Sequence, residues 1–312
     1  MRLVARKPVI VACGVAAVVQ LVAPRAVWAW GPVTHIALGI QALATVIPRS
    51  HQLYATLAAF PEIFLYGSLA PDIVQGRRLQ SRLRRHSHNW STGFGLLAAA
   101  TSPTAEVFAL GYLAHLAADV IAHNFFLPGC FIGRYDARLS GHLYFEACFD
   151  AAHEPSYQEV LIKLLRIDFT SFDALLEKGL DPPLVPFAMH RRLFEGGLKR
   201  IRQFNRIVRA LGGAAKFDAR EAQTLCDASR AAIGEVIERA ESASVCRFDP
   251  MGWRSLRHAS MARRRLRRLA RIGGASAQDA RELANAMRRE LHGRVLELPF
   301  FVEQGARVKP PS

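Results

Sequence analysis

The sequence predicts an all-α protein, a multi-helix bundle arranged around one polar line in an apolar interior. Two observations carry this prediction. Apolar positions recur at helical spacing along most of the chain, and the half after residue 155 is poor in strand patterns. In addition, the stretch from Gly111 to His123 places His115, Asp119 and His123 at i, i+4 and i+8, with apolar residues between them. Four residues make slightly more than one helical turn, so these three side chains project from nearly one line. A buried row of two imidazoles and a carboxylate, with no Lys or Arg beside it, needs compensation. Divalent cations supply it, and a hydrogen-bonded polar seam is the plainer alternative.

The chain has 312 residues, 51% hydrophobic and 21% charged, which suits one large domain or two small ones. Residues 1–29 read as an export signal. Arg2, Arg6 and Lys7 form a basic start, Val9 to Ala23 is apolar except for Gln20, and Val27-Trp28-Ala29 precedes the expected cut. The run is short for a membrane span, though an uncleaved anchor is the alternative. Ile10-Val11-Ala12-Cys13 resembles a lipoprotein cleavage site but leaves almost no apolar run ahead of it. The expected location is therefore periplasmic or extracellular. Net charge is +15 for the whole chain, and +11 once the four basic residues of the leader are removed. Cys130, Cys148, Cys226 and Cys246 lack zinc-finger spacing. In an oxidising compartment Cys130–Cys148 or Cys226–Cys246 is open to disulfide formation.

After the expected cut comes Trp30-Gly31-Pro32-Val33-Thr34-His35, and helical spacing runs from Ile36 to Ile47 before Pro48. A freed α-amino group, its own carbonyl and His35 together offer three donors. Residues 51–70 read as one or two helices interrupted by Pro61. They end in Tyr66-Gly67-Ser68-Leu69-Ala70-Pro71-Asp72, where Ala70-Pro71 is expected to break the helix and present Asp72 from a turn. A polar loop from Gln75 to Arg85 leads to His86-Ser87-His88-Asn89-Trp90. Ser102-Pro103 with Glu106 starts the central helix, which is expected to run to about Phe126 and to end at Leu127-Pro128-Gly129, followed by a loop from Cys130 to Ser140. His142 and Glu146 form a further i, i+4 pair.

Beyond residue 155, helices are expected near 157–166, 171–178, 184–195, 198–211, 217–241, 253–272 and 277–292, with Gly-Gly pairs at 196–197, 212–213 and 273–274 between them. The stretch 261–271 is strongly basic, with Ala262, Leu266, Leu269 and Ala270 as its apolar stripe. It fits a solvated helix face, a membrane-surface helix or a polyanion contact. Residues 301–312, with Gly305 and Pro310-Pro311, read as a tail. The chain shows no internal repeat, Gly-rich phosphate loop or Gly-x-Ser-x-Gly turn.

Read together, Trp30, His35, Asp72, His88, His115, Asp119, His123, His142 and Glu146, with Tyr-Gly-Ser-Leu-Ala-Pro-Asp and His-Asn-Trp around the middle members, resemble the bacterial zinc-dependent phospholipase C family, which includes the clostridial alpha-toxins. The start of the mature chain is also similar to the N-terminal end of glycosylphosphatidylinositol-specific phospholipase D. The resemblance covers about residues 30–155, a catalytic core; 156–300 then reads as a helical continuation or subdomain. It implies a helical domain holding three zinc ions. Trp30, through its amino nitrogen and carbonyl oxygen, and His35 would hold one. Asp72, His88 and His115 would hold a second, with Asp119 bridging the two. His123, His142 and Glu146 would hold the third. The chain departs from the family in its short spacing from Trp30 to His35 and from Asp119 to His123. His86 competes with His88 as a ligand, and no β-rich lipid-binding domain of the toxin type follows.

The reaction implied is phosphodiester hydrolysis, with a zinc-activated water attacking phosphorus in line. Asp72 is the expected general base and Glu146 the second choice. The expected substrate is a phospholipid or another phosphodiester, with membrane-surface contact through 261–271. Two other readings compete. Single-strand zinc nucleases share this fold and chemistry and also begin Trp-Gly, and the positive charge suits nucleic acid. A non-catalytic zinc-binding helical protein would keep the ligands and lose an open coordination position.

Overall fold

A computed structural model describes residues 30–46, 51–74, 86–137, 142–181, 187–210 and 217–308. The expected export signal and the Gly212-Gly213 pair lie outside the described residues. Among those described, every regular element is helical, as the sequence predicts.

The first four helices are α1 (Pro32–Val46), α2 (His51–Ala59), α3 (Pro61–Gly67) and the single turn α4 (Ala70–Ile73). The helix breaks at Ser68-Leu69, directly ahead of Ala70-Pro71, and Asp72 is presented from the following turn, as expected. Pro71 sits in the first turn of α4, where its missing N–H costs nothing. After α5 (Trp90–Ala98) comes the central helix α6 (Pro103–Ile121). The Ser102 hydroxyl accepts from Ala105 N at 3.2 Å, with Pro103 following it and Glu106 in the first turn, the start expected from sequence.

The end of α6 differs from expectation. Leu127-Pro128-Gly129 does not stop the rod. A π-helical turn, Ala122–Phe126, runs directly into α7 (Leu127–Gly133), and Pro128 falls in the first turn of α7, where proline is tolerated. The apolar stretch Pro103–Gly133 is long enough to cross a membrane, yet 89% of its most apolar window is buried by the rest of the protein. It is the axis of the core.

Next come α8 (His142–Ala152), α9 (Pro155–Leu164), α10 (Thr170–Gly179) and α11 (Phe187–Ala210). Gly196-Gly197 was expected to separate two helices, but α11 runs through it. The reason is that Phe187, Phe194 and Leu198, on either side of the pair, pack into the core and outweigh the propensity cost of glycine. Helix α12 (Ala219–Arg239) follows, with Asp218 accepting from Glu221 N at 2.9 Å as its N-cap. Two short 3₁₀ turns lead to α13 (Trp253–Ile272), α14 (Ala275–Leu296) and α15 (Pro299–Val308). The Gly273-Gly274 pair does act as a breaker, both residues lying at positive φ between α13 and α14. The expected tail is helical as far as Val308.

One hydrophobic core joins the two halves. Helix α6 is wrapped by α1, α3 and α5 from the first half and by α12 from the second, with Ala228, Ala232, Ile233 and Val236 of α12 buried in the same cluster as Phe108, Tyr112 and Leu116. The crossing of α3 on α6 is the closest. A Cβ on Gly67 would meet the Phe108 carbonyl oxygen at 2.3 Å, and one on Gly111 would meet that of Phe64 at 2.1 Å. A second, smaller cluster of Ile132, Tyr135, Ala259, Leu266, Ala280 and Ala284 packs the α13–α14 hairpin against α7. Among the described residues, Cys130, Cys148, Cys226 and Cys246 form no disulfide.

Candidate metal centre

The polar line along α6 and the π turn is fully buried, with His115, Asp119 and His123 all at 0% exposure. Their neighbours come from four other segments. His35 enters from the first turns of α1 and places Nε2 3.4 Å from Asp119 Oδ1. His88, from the loop before α5, has Nε2 3.6 Å from Asp119 Oδ2 and 3.3 Å from Asp72 Oδ1. His115 Nε2 is 3.4 Å from Asp119 Oδ2, 3.9 Å from Asp72 Oδ1 and 3.1 Å from His88 Nε2. Asp119 thus turns one oxygen to His35 and the other to His88 and His115.

Two sets of donors close to metal-binding dimensions: His35, His115 and Asp119, and Asp72, His88 and His115, each within 4.8 Å. Donors held about 2.0–2.1 Å from a tetrahedral zinc lie roughly 3.3 Å from one another, which is the scale of these separations. Such spacing brings lone pairs and carboxylate charge together. His35 Nε2 and both Asp119 oxygens are buried without a hydrogen-bond partner within the protein. A cation among them would satisfy all three, and the mixed nitrogen and oxygen donors suit zinc.

Outer contacts set the ring tautomers. His115 Nδ1 donates to the Ser68 carbonyl at 2.8 Å, which leaves Nε2 as the lone-pair nitrogen facing the cluster. His88 Nδ1 lies 2.9 Å from the Ser87 hydroxyl, and Tyr112 donates from its hydroxyl to the Ser87 carbonyl. Burial and the neighbouring His115 lower the pKa of His35, favouring the neutral, donating form. Burial pushes the Asp119 carboxyl up, but His115, His123 and His35 outweigh it and hold the pKa well below the ordinary value.

His86 belongs to neither donor set. Its carbonyl accepts from Thr92 Oγ1, and its Nδ1 accepts from His88 N. Of the two candidates, His88 is the one the fold turns inward.

The third predicted set is more loosely gathered. His123 Nδ1 is 3.7 Å from Asp119 Oδ2, the His123 and His142 ring centroids are 5.5 Å apart, and His142 Nε2 lies 3.8 Å from Glu146 Oε1. The π turn carries His123, and its Nδ1 donates to the Pro250 carbonyl at 2.5 Å. Gly252, at φ +56°, allows that approach, because a Cβ there would meet His123 Cβ and its carbonyl oxygen at 2.6 Å. The short Asp119–His123 spacing is thus combined with a local widening of the helix. Trp30 is buried beside the same stretch: its indole nitrogen donates to the Ala118 carbonyl at 3.0 Å, and its ring stacks on Phe126 at 4.6 Å.

Sequence reading overlooked Asp150. It lies one helical turn beyond Glu146, so the His142–Glu146 stripe continues to it. Its carboxylate accepts from Val33 N (3.2 Å), Thr34 N (2.9 Å) and the Thr34 hydroxyl (2.7 Å). It therefore caps α1 from across the chain and fixes the turn that carries His35. Tyr66, in the motif before Asp72, is likewise anchored. It donates to Asp173, which also pairs with Arg191.

Fold and site together define a class: an all-helical protein whose central helix carries a buried cluster of histidines and carboxylates spaced for divalent metal. Within that class, residues 34–183 match the model of the family described as zinc dependent phospholipase C, just under half of the chain. The match supports, at family level, a zinc-dependent hydrolase of phospholipase type. No curated protein and no solved structure matches the chain.

Proposed function

We propose that the protein is an exported zinc phosphodiesterase that hydrolyses phospholipids in the manner of a phospholipase C. The observation that carries this reading is the placement of Asp119, one oxygen toward His35 and the other toward His88 and His115, as a bridging carboxylate requires. His35, with the amino nitrogen and carbonyl oxygen of Trp30 freed by leader removal, would hold one ion. Asp72, His88 and His115 would hold the second, and His123, His142 and Glu146 the third. Zinc there would offset the charge of the phosphodiester and lower the pKa of a coordinated water toward ~7. Asp72 takes the proton of the attacking water, and its approach within 3.3 Å of His88 Nε2 holds that carboxylate in place. Glu146 is the second acceptor, oriented by His142. His142 is the most open of the cluster side chains, at 18% exposure, so substrate reaches the site on its side.

The test pairs metal content with a substrate panel. The processed protein is expected to contain zinc and to release phosphocholine or a related headgroup ester from phospholipid. Asp119→Ala is expected to lose zinc and to lower activity at least about a hundredfold, more than loss of an outer-shell partner costs. Full zinc and full activity in that variant would rule out the bridge. Release of mononucleotides in preference to phosphocholine would favour the nuclease reading, which the net charge of +15 keeps in view. Stoichiometric zinc without hydrolysis of any phosphodiester would mark a non-catalytic metal protein.

A further inference from the structure

The outer face of α13 has an unusual composition. Its 20 residues contain no acid. Arg254, Arg257, Arg264, Arg265, Arg268 and Arg271 are all exposed, and at helical spacing they fall on one side of the helix. Ala259 and Leu266 face the other way, into the core. Along the centre of the basic stripe lie Met261, 59% exposed, and Ile272, 73% exposed, with Trp253 at its edge. The helix is about 30 Å long. The inner face of the helix reaches toward the cluster: Gly252, just before its first residue, packs on His123, and Arg263 lies 5.8 Å over the Phe131 ring, which also neighbours the His142 ring at 5.9 Å.

We infer that this face docks the protein on a bilayer surface rich in anionic lipid. The arginines supply attraction to phosphate and carboxylate headgroups, each near the surface contributing a separate increment. Met261 and Ile272 supply what a polyanion in water has no use for, aliphatic side chains that enter the headgroup boundary, and Trp253 suits the same boundary. A nucleic acid would match the charge and leave Met261 and Ile272 exposed. Docking itself does not depend on catalysis; its use rests on the phospholipase reading, since it would hold the protein at the layer that contains the substrate.

Co-sedimentation of the full chain, prepared with zinc, tests this with vesicles of phosphatidylcholine alone and of equimolar phosphatidylcholine and phosphatidylglycerol. The wild type is expected to bind the mixed vesicles and not the neutral ones. A triple variant, Arg257→Glu, Arg265→Glu and Arg268→Glu, is expected to bind roughly a hundredfold more weakly. It should hydrolyse a water-soluble chromogenic phosphodiester at the wild-type rate, which also reports that it is folded. Met261→Ala with Ile272→Ala, which leaves every charge in place, should weaken vesicle binding several-fold without changing its salt dependence. The inference is overturned if the wild type ignores the mixed vesicles, if the triple variant binds them equally well, or if a single-stranded oligonucleotide is retained by this face while vesicles are not. Vesicle binding that the triple variant loses, in a protein that cleaves no phosphodiester, would uphold docking and refute the enzyme reading separately.

Discussion

Asp150 shows how a side chain outside the ligand set shapes it. Burial raises its pKa from 3.8 to about 6, against the hydrogen bonds from Thr34 and Val33 that favour the ionised form, and nearby Asp72 adds to the rise. A carboxyl whose folded pKa lies above its unfolded one stabilises the fold fully below the unfolded value and loses that contribution as pH rises through the folded value. In the metal-free protein, this residue therefore costs stability progressively between about pH 4 and pH 6, on the order of 3 kcal/mol across that window. Asp150→Asn should flatten the fall in melting temperature over that range and keep the donors of Val33 and Thr34 partly satisfied through its amide oxygen. A slope identical to wild type would show that Asp150 does not carry it. His115, Asp119 and His123 were legible in the sequence because one helical period aligns them. Asp150 was on the same kind of stripe, yet its partner Thr34 lies 116 residues away, and spacing alone gives no hint of so distant a cap.

Element boundaries follow packing more than punctuation. The helix before Ala70-Pro71 does end there, but Pro128, expected to stop a helix, instead opens α7, and Gly196-Gly197 is carried through by the buried residues of α11. By contrast, Gly273-Gly274 does interrupt, because both adopt positive φ where the chain reverses between α13 and α14. Ser102 was readable as a cap because its partner, Ala105 N, is three residues away. Gly67 and Gly111 belong to this scale too. They let α3 approach α6 closely enough to carry the Ser68 carbonyl to His115. Gly111→Ala should therefore destabilise the protein by about 3 kcal/mol through forced separation of the two helices. It should also weaken metal binding, read as a fall in both melting temperature and zinc content. A variant with unchanged melting temperature would show that the crossing tolerates a methyl group.

At the scale of the whole molecule, the helical class and the inward line of histidines and carboxylates were readable from periodicity, while the joining of front and rear halves was not. That joining depends on α12 lying along α6 and on the Pro250 carbonyl reaching His123, contacts between residues more than a hundred positions apart that no local pattern encodes. Because the cluster sits inside the common core, metal and fold are coupled. A chelator should lower the melting temperature by roughly 10 °C, the shift for a ligand worth about 4 kcal/mol in a chain of this size. Equal melting curves with and without chelator would separate the cluster from the stability of the bundle. The grip on His123 also bears on where this protein can be cut. The family segment ends at residue 183, well ahead of Pro250 and Gly252. A fragment trimmed to that segment would leave the imidazole at 123 to swing without its carbonyl tether. The back half is thus a jig for the reactive end, and an attempt to graft the front half alone onto another scaffold would have to rebuild that clamp first.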